Sequence, residues 1–307
     1  MAVGALVETD LLTVVMAKAW HTDDQKATVT RRPGPGPESV VERVVPLTIG
    51  EERLPKAFSM HGDESGDVLV EPVTSVLLLC SDGPRLIDTG VNTAIVRDKW
   101  LYARLHGRNH SIVPLLPEGV QEPLLAELAS HGVAPGDLLD VYLSHLHNDH
   151  AGGLRLIPIE VPVHVQAHEL EYGLRDHPFA ERHGMFRIDF DDPERNWVLM
   201  DGDTDLAPGV TALLSRGHTP GHQSFAVRTR RGDGYLFAFD AADLQENIDR
   251  EIGPGGFVHC PPEVPLTSLL RLKAYAAEQG LRLLPGHCPV TWPAFTAEQE
   301  ADLGRCP

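Results

Sequence analysis

The sequence predicts an α+β fold in which short strands end repeatedly at side chains that bind metal. Apolar, β-branched runs at residues 73–79, 140–143, 161–165, 210–214 and 235–239 have the length and composition of strands. Helical stretches alternate with them, one over residues 121–131 with Leu124, Leu125 and Leu128 on a single face, another over residues 265–279. Four strand-like runs, ending near residues 143, 214, 239 and 284, lead directly to histidine or aspartate.

Taken in chain order, residues 1–39 read as an N-terminal arm and linker, because Arg31-Arg32-Pro33-Gly34-Pro35-Gly36-Pro37 suits neither a helix nor a central strand. Residues 40–307 form the domain proper. The runs at 73–79 and 85–88 flank Ser81-Asp82-Gly83-Pro84 as a hairpin that closes on Asp88-Thr89-Gly90. Residues 92–119 are long for a connection and are expected to form a helical cap. A second insertion over residues 175–196 carries Phe179, Met185, Phe186 and Phe190, which suit either an apolar wall or satellite core. Strand 161–165 passes into a helix at 167–174, where His164 and His168 read as ordinary polar positions. Residues 224–230 and 235–239 pair across Arg231-Gly232-Asp233-Gly234 as a second hairpin, which leaves Asp240 just beyond an apolar strand.

The densest signal is Ser144-His145-Leu146-His147-Asn148-Asp149-His150-Ala151-Gly152-Gly153. Imidazole and carboxylate are ligands that zinc and its neighbours favour, and four of them within six residues are costly to pack without a cation. His145 and His147 alternate to one side beyond the strand, and the following turn redirects Asp149 and His150. One run therefore serves two directions, as two adjacent ions require. Later strand ends add His218, Asp240 and His287, while His222 reads as a hydrogen-bonding support of its loop.

Composition narrows the classes. A formal net charge of −18 excludes a polyanion such as nucleic acid as an expected partner, since phosphate binding needs Lys and Arg. No apolar run of about eighteen residues is present and no basic segment precedes the N-terminal apolar residues, so the expectation is a cytoplasmic protein with no membrane association. Cys80, Cys260, Cys288 and Cys306 lack the spacing of a disulfide framework, in keeping with a reducing compartment.

His145-Leu146-His147-Asn148-Asp149-His150, followed in order by His218, Asp240 and His287, resembles the dinuclear site of the metallo-β-lactamase superfamily. The resemblance spans roughly residues 40–293 and implies an αββα sandwich, two mixed β-sheets face to face with helices outside. It also implies two divalent metal ions per chain, zinc by ligand type, with manganese, iron or cobalt compatible. By the same resemblance His145, His147 and His218 hold one ion, Asp149, His150 and His287 hold the other, Asp240 bridges them, and Asp88 supports the ligands from behind.

The segment from Gly217 to Ser224, with Asp201-Gly202-Asp203 before it, is similar to that of the N-acyl homoserine lactone lactonases, which implies attack of a metal-bridging hydroxide on a lactone. A small ester is the wider substrate class expected, and Asp149 is a candidate to take or pass on the proton of the water, with its basicity reduced as a ligand. Those enzymes carry a tyrosine three residues after the bridging aspartate, where this chain has Asp243. A phenol donates a hydrogen bond to a developing oxyanion and an ionised carboxylate does not. Asp243 is thus either a solvated loop residue or a catalytic-site contact that selects a donating or cationic substrate group. The alternative chemistries are hydrolysis of a thioester or a β-lactam-type amide on the same scaffold, or iron-dependent redox chemistry. The expected partner is a small-molecule ester or lactone, and a homodimer is compatible with the apolar residues of the insertions.

Overall fold

A computed structural model describes residues 39–107, 111–175, 181, 183–256 and 260–303. Residues 1–38 of the predicted arm, Phe179 and Cys306 lie outside the described residues. The first sheet has the order β4-β1-β2-β3-β5-β6-β7, made of β1 (Val41–Pro55), β2 (Val68–Cys80), β3 (Gly83–Ile87), β4 (Val113–Leu115), β5 (Asp140–Tyr142), β6 (Val163–Gln166) and β7 (Trp197–Met200). It is antiparallel from β4 to β3 and parallel from β3 to β7. The second has the order β12-β11-β10-β9-β8, from β8 (Thr204–Ala207), β9 (Val210–Leu214), β10 (Gln223–Arg228), β11 (Gly234–Phe237) and β12 (Arg282–Leu284), with only the β11–β12 pair parallel.

Side-chain alternation explains the four layers. Val44, Val76, Leu78 and Ile87 point between the sheets and meet Val210, Ala212, Phe225 and Phe237 from the other side. Leu47, Leu77 and Leu86 point outward to Leu124 and Leu128 of the helix Pro123–Ser130. On the opposite flank Leu213, Ala226 and Leu236 receive Leu269, Leu272 and Ala276 of the helix Glu263–Gln279. Sheets buried on both faces need continuous apolar runs, which is why residues 73–79 show no polar alternation. This is the αββα sandwich of two mixed sheets that the resemblance implied.

β1 was not expected from the sequence. Pro46, Glu51, Glu52 and Arg53 interrupt its apolar residues, yet Pro46 is tolerated because β4 covers only residues 51–53, so the missing N–H faces no partner strand. The expected cap over residues 92–119 begins with helices Thr93–Arg97 and Lys99–Leu105, whose N-termini are closed by the side chains of Asn92 and Asp98. In the second insertion Met185 and Phe190 join the outer core, so they form no substrate wall, whereas Phe186 borders the cleft. Among the described residues no helix is long and apolar enough to cross a membrane.

Candidate metal centre

β5 runs out at Tyr142, and the chain leaves the sheet through Ser144 to His147, which is extended at φ −67° and ψ 156°. A single helical turn, Asn148–Ala151, then swings Asp149 and His150 back toward the strand end, as the motif predicted. Gly152 and Gly153 follow because the chain here passes against the backbone of residues 89–92: a β-carbon on Gly152 would overlap Asn92 N, and one on Gly153 would overlap Thr89 O. The other donors arrive from the second sheet, His218 after β9, Asp240 after β11 and His287 after β12.

The donor atoms converge in two groups. His145, His147, His218 and Asp240 form one, and Asp149, His150 and His287 the other, each with its ligand atoms within 4.8 Å of one another. Asp240 joins them, since its Oδ2 lies 3.2 Å from His218 Nε2 and 3.8 Å from His145 Nε2, while its Oδ1 lies 3.1 Å from His150 Nε2 and 3.0 Å from His287 Nε2. His147 Nδ1 is 2.8 Å from His218 Nε2, and Asp149 Oδ2 is 3.0 Å from His150 Nε2. Four donors set tetrahedrally at about 2.1 Å from a zinc ion lie about 3.4 Å apart, so these spacings suit a metal at each focus.

Two further observations test the fit. His145 Nε2 is buried and has no hydrogen-bond partner, an arrangement that costs free energy unless the lone pair is used. The far nitrogens, by contrast, are held: His150 Nδ1 by Asp88 Oδ2 at 2.8 Å, His145 Nδ1 by Ser144 Oγ at 2.9 Å, and His287 Nδ1 by the Pro72 carbonyl at 2.9 Å. Support of this kind fixes the tautomer that turns a lone pair toward an ion. Asp88, held at φ 58°, also accepts from Ser144 N and Ser144 Oγ, both at 2.7 Å.

Electrostatics point the same way. Burial pushes His145 well down and His147 to about 4, so both rings are neutral and fit to donate. Burial opposes ionisation of Asp240, but the imidazoles of His150, His287, His218 and His145 outweigh it and hold the carboxyl well below its ordinary range. His150 and His287 resist burial and are raised, by Asp149, Asp240 and Asp88 around the former and mainly by Asp240 beside the latter. The cluster is a place that draws positive charge, and divalent cations would displace those protons.

Residues that sequence reasoning missed complete the surroundings. Glu169, fully buried, accepts from Leu146 N at 3.0 Å through Oε1 and from Gly221 N at 2.8 Å through Oε2, clamping the two histidine loops together. Its signal was a glutamate on the buried face of the helix Ala167–Leu174, beside Leu170. Gln223 adds a second tie, its side chain donating to Leu143 O at 2.7 Å. His222, read as loop support, has its Nδ1 2.9 Å from Ser215 Oγ, and His164 pairs with Asp140 at 2.8 Å away from the centre.

Above the donors lies a cleft of about 670 Å³ including solvent at its mouth. Leu54, Phe58, Leu105, Ile112 and Phe186 form its apolar side, and Glu52, Glu71 and Asp243 an acidic one. Asp243 is only 6% exposed, so the solvated-loop reading does not hold, and its backbone carbonyl accepts from His287 N at 2.9 Å. Burial, then the neighbouring Asp240, pushes the Asp243 carboxyl well above its ordinary range.

Comparison with known proteins agrees with this geometry. Residues 68–287 match the family model of the metallo-beta-lactamase superfamily. An N-acyl homoserine lactonase of Bacillus thuringiensis is 32% identical over 225 residues, 72% of this chain and 83% of the relative. The N-acyl homoserine lactonase AttM of Azorhizobium caulinodans is 32% identical over 232 residues, covering 73% and 84%. A solved N-acyl homoserine lactone hydrolase, with the product N-hexanoyl-L-homoserine at its catalytic metal centre, superposes with a TM-score of 0.71 at 29% identity, covering 87% of this chain and 97% of that one. The chain belongs to the metallo-β-lactamase superfamily.

Proposed function

We propose that this protein is a dinuclear metal-dependent hydrolase that opens a lactone or small ester. The observation that carries this reading is the pair of donor groups sharing Asp240 at the floor of a cleft, supported by the relatives' activity on N-acyl homoserine lactones. His145, His147 and His218 would hold one ion, Asp149, His150 and His287 the other, and Asp240 would serve both through its two oxygens. Two divalent ions, zinc by donor type or manganese, iron or cobalt by supply, would provide an activated water near neutral pH and polarise the ester carbonyl.

The chain's own groups do the rest. Asp149 borders the cleft and would take the proton of the attacking water and pass it to the leaving alkoxide. Leu54, Phe58, Leu105, Ile112 and Phe186 exclude water around the acyl part of the substrate. Asp243 lies at the same cleft and would face the polar part of the substrate. The free thiols Cys80, Cys260 and Cys288 are consistent with work in the cytoplasm.

Elemental analysis joined to a substrate panel tests the reading. The purified protein is expected to carry close to two metal ions per chain and to hydrolyse lactones faster than thioesters or β-lactams. His218→Ala and Asp240→Ala should each lose metal and activity together. A protein without metal that gains no activity on adding zinc or manganese would overturn it, and faster thioester or β-lactam cleavage would move the assignment to those substrates.

A further inference from the structure

The acidic side of the cleft has a geometry that the hydrolytic reading does not explain. Glu52 on β1 and Glu71 on β2 are direct partners across the antiparallel ladder, and both border the cleft together with Asp243. Directly opposed residues have β-carbons about 5 Å apart, and like charges at such positions destabilise a sheet. Among the described residues, no lysine or arginine borders the cleft, and the ions proposed for its floor are already faced by Asp149 and Asp240.

Their hydrogen bonding is incomplete as well. Glu71 Oε1 accepts from Ser59 Oγ at 2.6 Å, but Glu52 Oε1 and Asp243 Oδ1 are buried atoms with no hydrogen-bond partner among the described residues. Asp243 is the more telling, because its side chain is almost wholly buried yet borders the cleft with an unused acceptor. Buried acceptors without donors are costly, so two of them beside Glu71 around one space make sense when a donor arrives from outside. A further inorganic ion fits poorly: among the described residues, the groups whose oxygens and nitrogens close tightly enough for a metal comprise only the seven donors of the centre. An organic cation is larger, donates in several directions, and brings carbon to lie against Leu54 and Phe58.

We propose that Glu52, Glu71 and Asp243 form a subsite for a protonated amine carried by the substrate, so that the preferred substrates are amino-substituted lactones or esters. The inference rests on the hydrolytic reading for the reaction, but recognition of the ammonium group can be measured without turnover.

Calorimetric titration of the metal-loaded full-length protein with n-hexylammonium, n-hexanol and hexanoate provides that measurement. At about pH 8 the alkylamine is still almost wholly protonated and does not ligate metal, while the Glu71 carboxyl, pushed up to about 7 by burial, is ionised. Charge-assisted hydrogen bonds should make n-hexylammonium bind about tenfold or more tightly than n-hexanol, with hexanoate weaker still at this subsite. Glu52→Gln and Glu71→Gln should each reduce that preference several-fold. If Glu71→Gln fails to fold, the half-buried Glu52→Gln decides alone, with its fold checked by circular dichroism. Hexanol binding as tightly as hexylammonium, or a preference that survives Glu52→Gln, would overturn the proposal.

Turnover gives the second arm, comparing α-amino-γ-butyrolactone with the similarly sized α-methyl-γ-butyrolactone. The amino compound should have the higher kcat/KM, and Glu52→Gln should move the ratio toward one. Ammonium preference without hydrolysis of either compound would sink the hydrolytic reading and leave the subsite. Equal hydrolysis of both with no ammonium preference would do the reverse.

Discussion

Asp88→Asn removes one negative charge from behind the second donor group while leaving the volume of the side chain nearly unchanged. Asn tolerates a positive φ better than most residues, so the backbone at φ 58° can persist. The wild-type carboxylate accepts three hydrogen bonds, from Ser144 N, Ser144 Oγ and His150 Nδ1. An amide supplies one acceptor and one donor in their place. With its oxygen kept on Ser144 N, its nitrogen faces the N–H of His150 Nδ1, and flipping the amide only moves that clash to Ser144 N. His150 escapes by shifting its proton to Nε2, the atom that lies 3.0 Å from Asp149 and 3.1 Å from Asp240, and its lone pair is then lost to the ion. Loss of such support typically weakens metal binding about 10- to 100-fold, roughly 1.4–2.7 kcal/mol. His145 is steadied by Ser144 Oγ, so the first group should suffer less. Competition against a chromophoric chelator resolves the two ions, and the expected result is selective loss of the one held by Asp149, His150 and His287. Wild-type affinity at both sites, or equal weakening of both, would refute the tautomer argument.

Two further outcomes follow from packing and titration. Gly153→Ala drives a methyl group into Thr89 O and the Leu124 side chain, with an expected loss of about 3 kcal/mol and a thermal midpoint lower by roughly 6–12 °C; a variant that melts with the wild type would contradict the close approach. Asp189, buried and hydrogen-bonded by Asn92 at 2.7 Å, has its carboxyl pushed by burial to about 7, so the folded state keeps a proton that the unfolded chain releases near its ordinary value of 3.8. Stability from this group is therefore present at low pH and is lost as pH rises through about 7, with a ceiling of about 4 kcal/mol. Asp189→Asn should flatten that slope and raise stability at about pH 8 relative to pH 5 in denaturant titrations; an unchanged slope would refute it.

The convergence of these seven side chains was legible because the stretches that carry them follow apolar strands, a pattern that packing alone does not produce. The two-sheet core was legible for the same reason, since runs such as residues 76–79 are apolar on both faces. What escaped was whatever depends on long-range register. Glu52 and Glu71 face each other only because β1 pairs with β2 in one alignment, and β1 itself is masked by charges and prolines. Glu169 reads as an ordinary helix residue until two loops, one 23 residues before it and one 52 after, meet at its carboxyl. Met185 and Phe190 have the composition of a substrate wall, and only the packing of the insertion assigns them to the core.

The Glu169 clamp has a consequence for the life of the protein in the cell. Because Leu146 N and Gly221 N are bound by a protein side chain and not through an ion, the two histidine loops are set in place by folding itself. Those two hydrogen bonds do not depend on a cation, so they would hold the loops together as an ion arrives or leaves. The metal carried would then follow the surrounding supply.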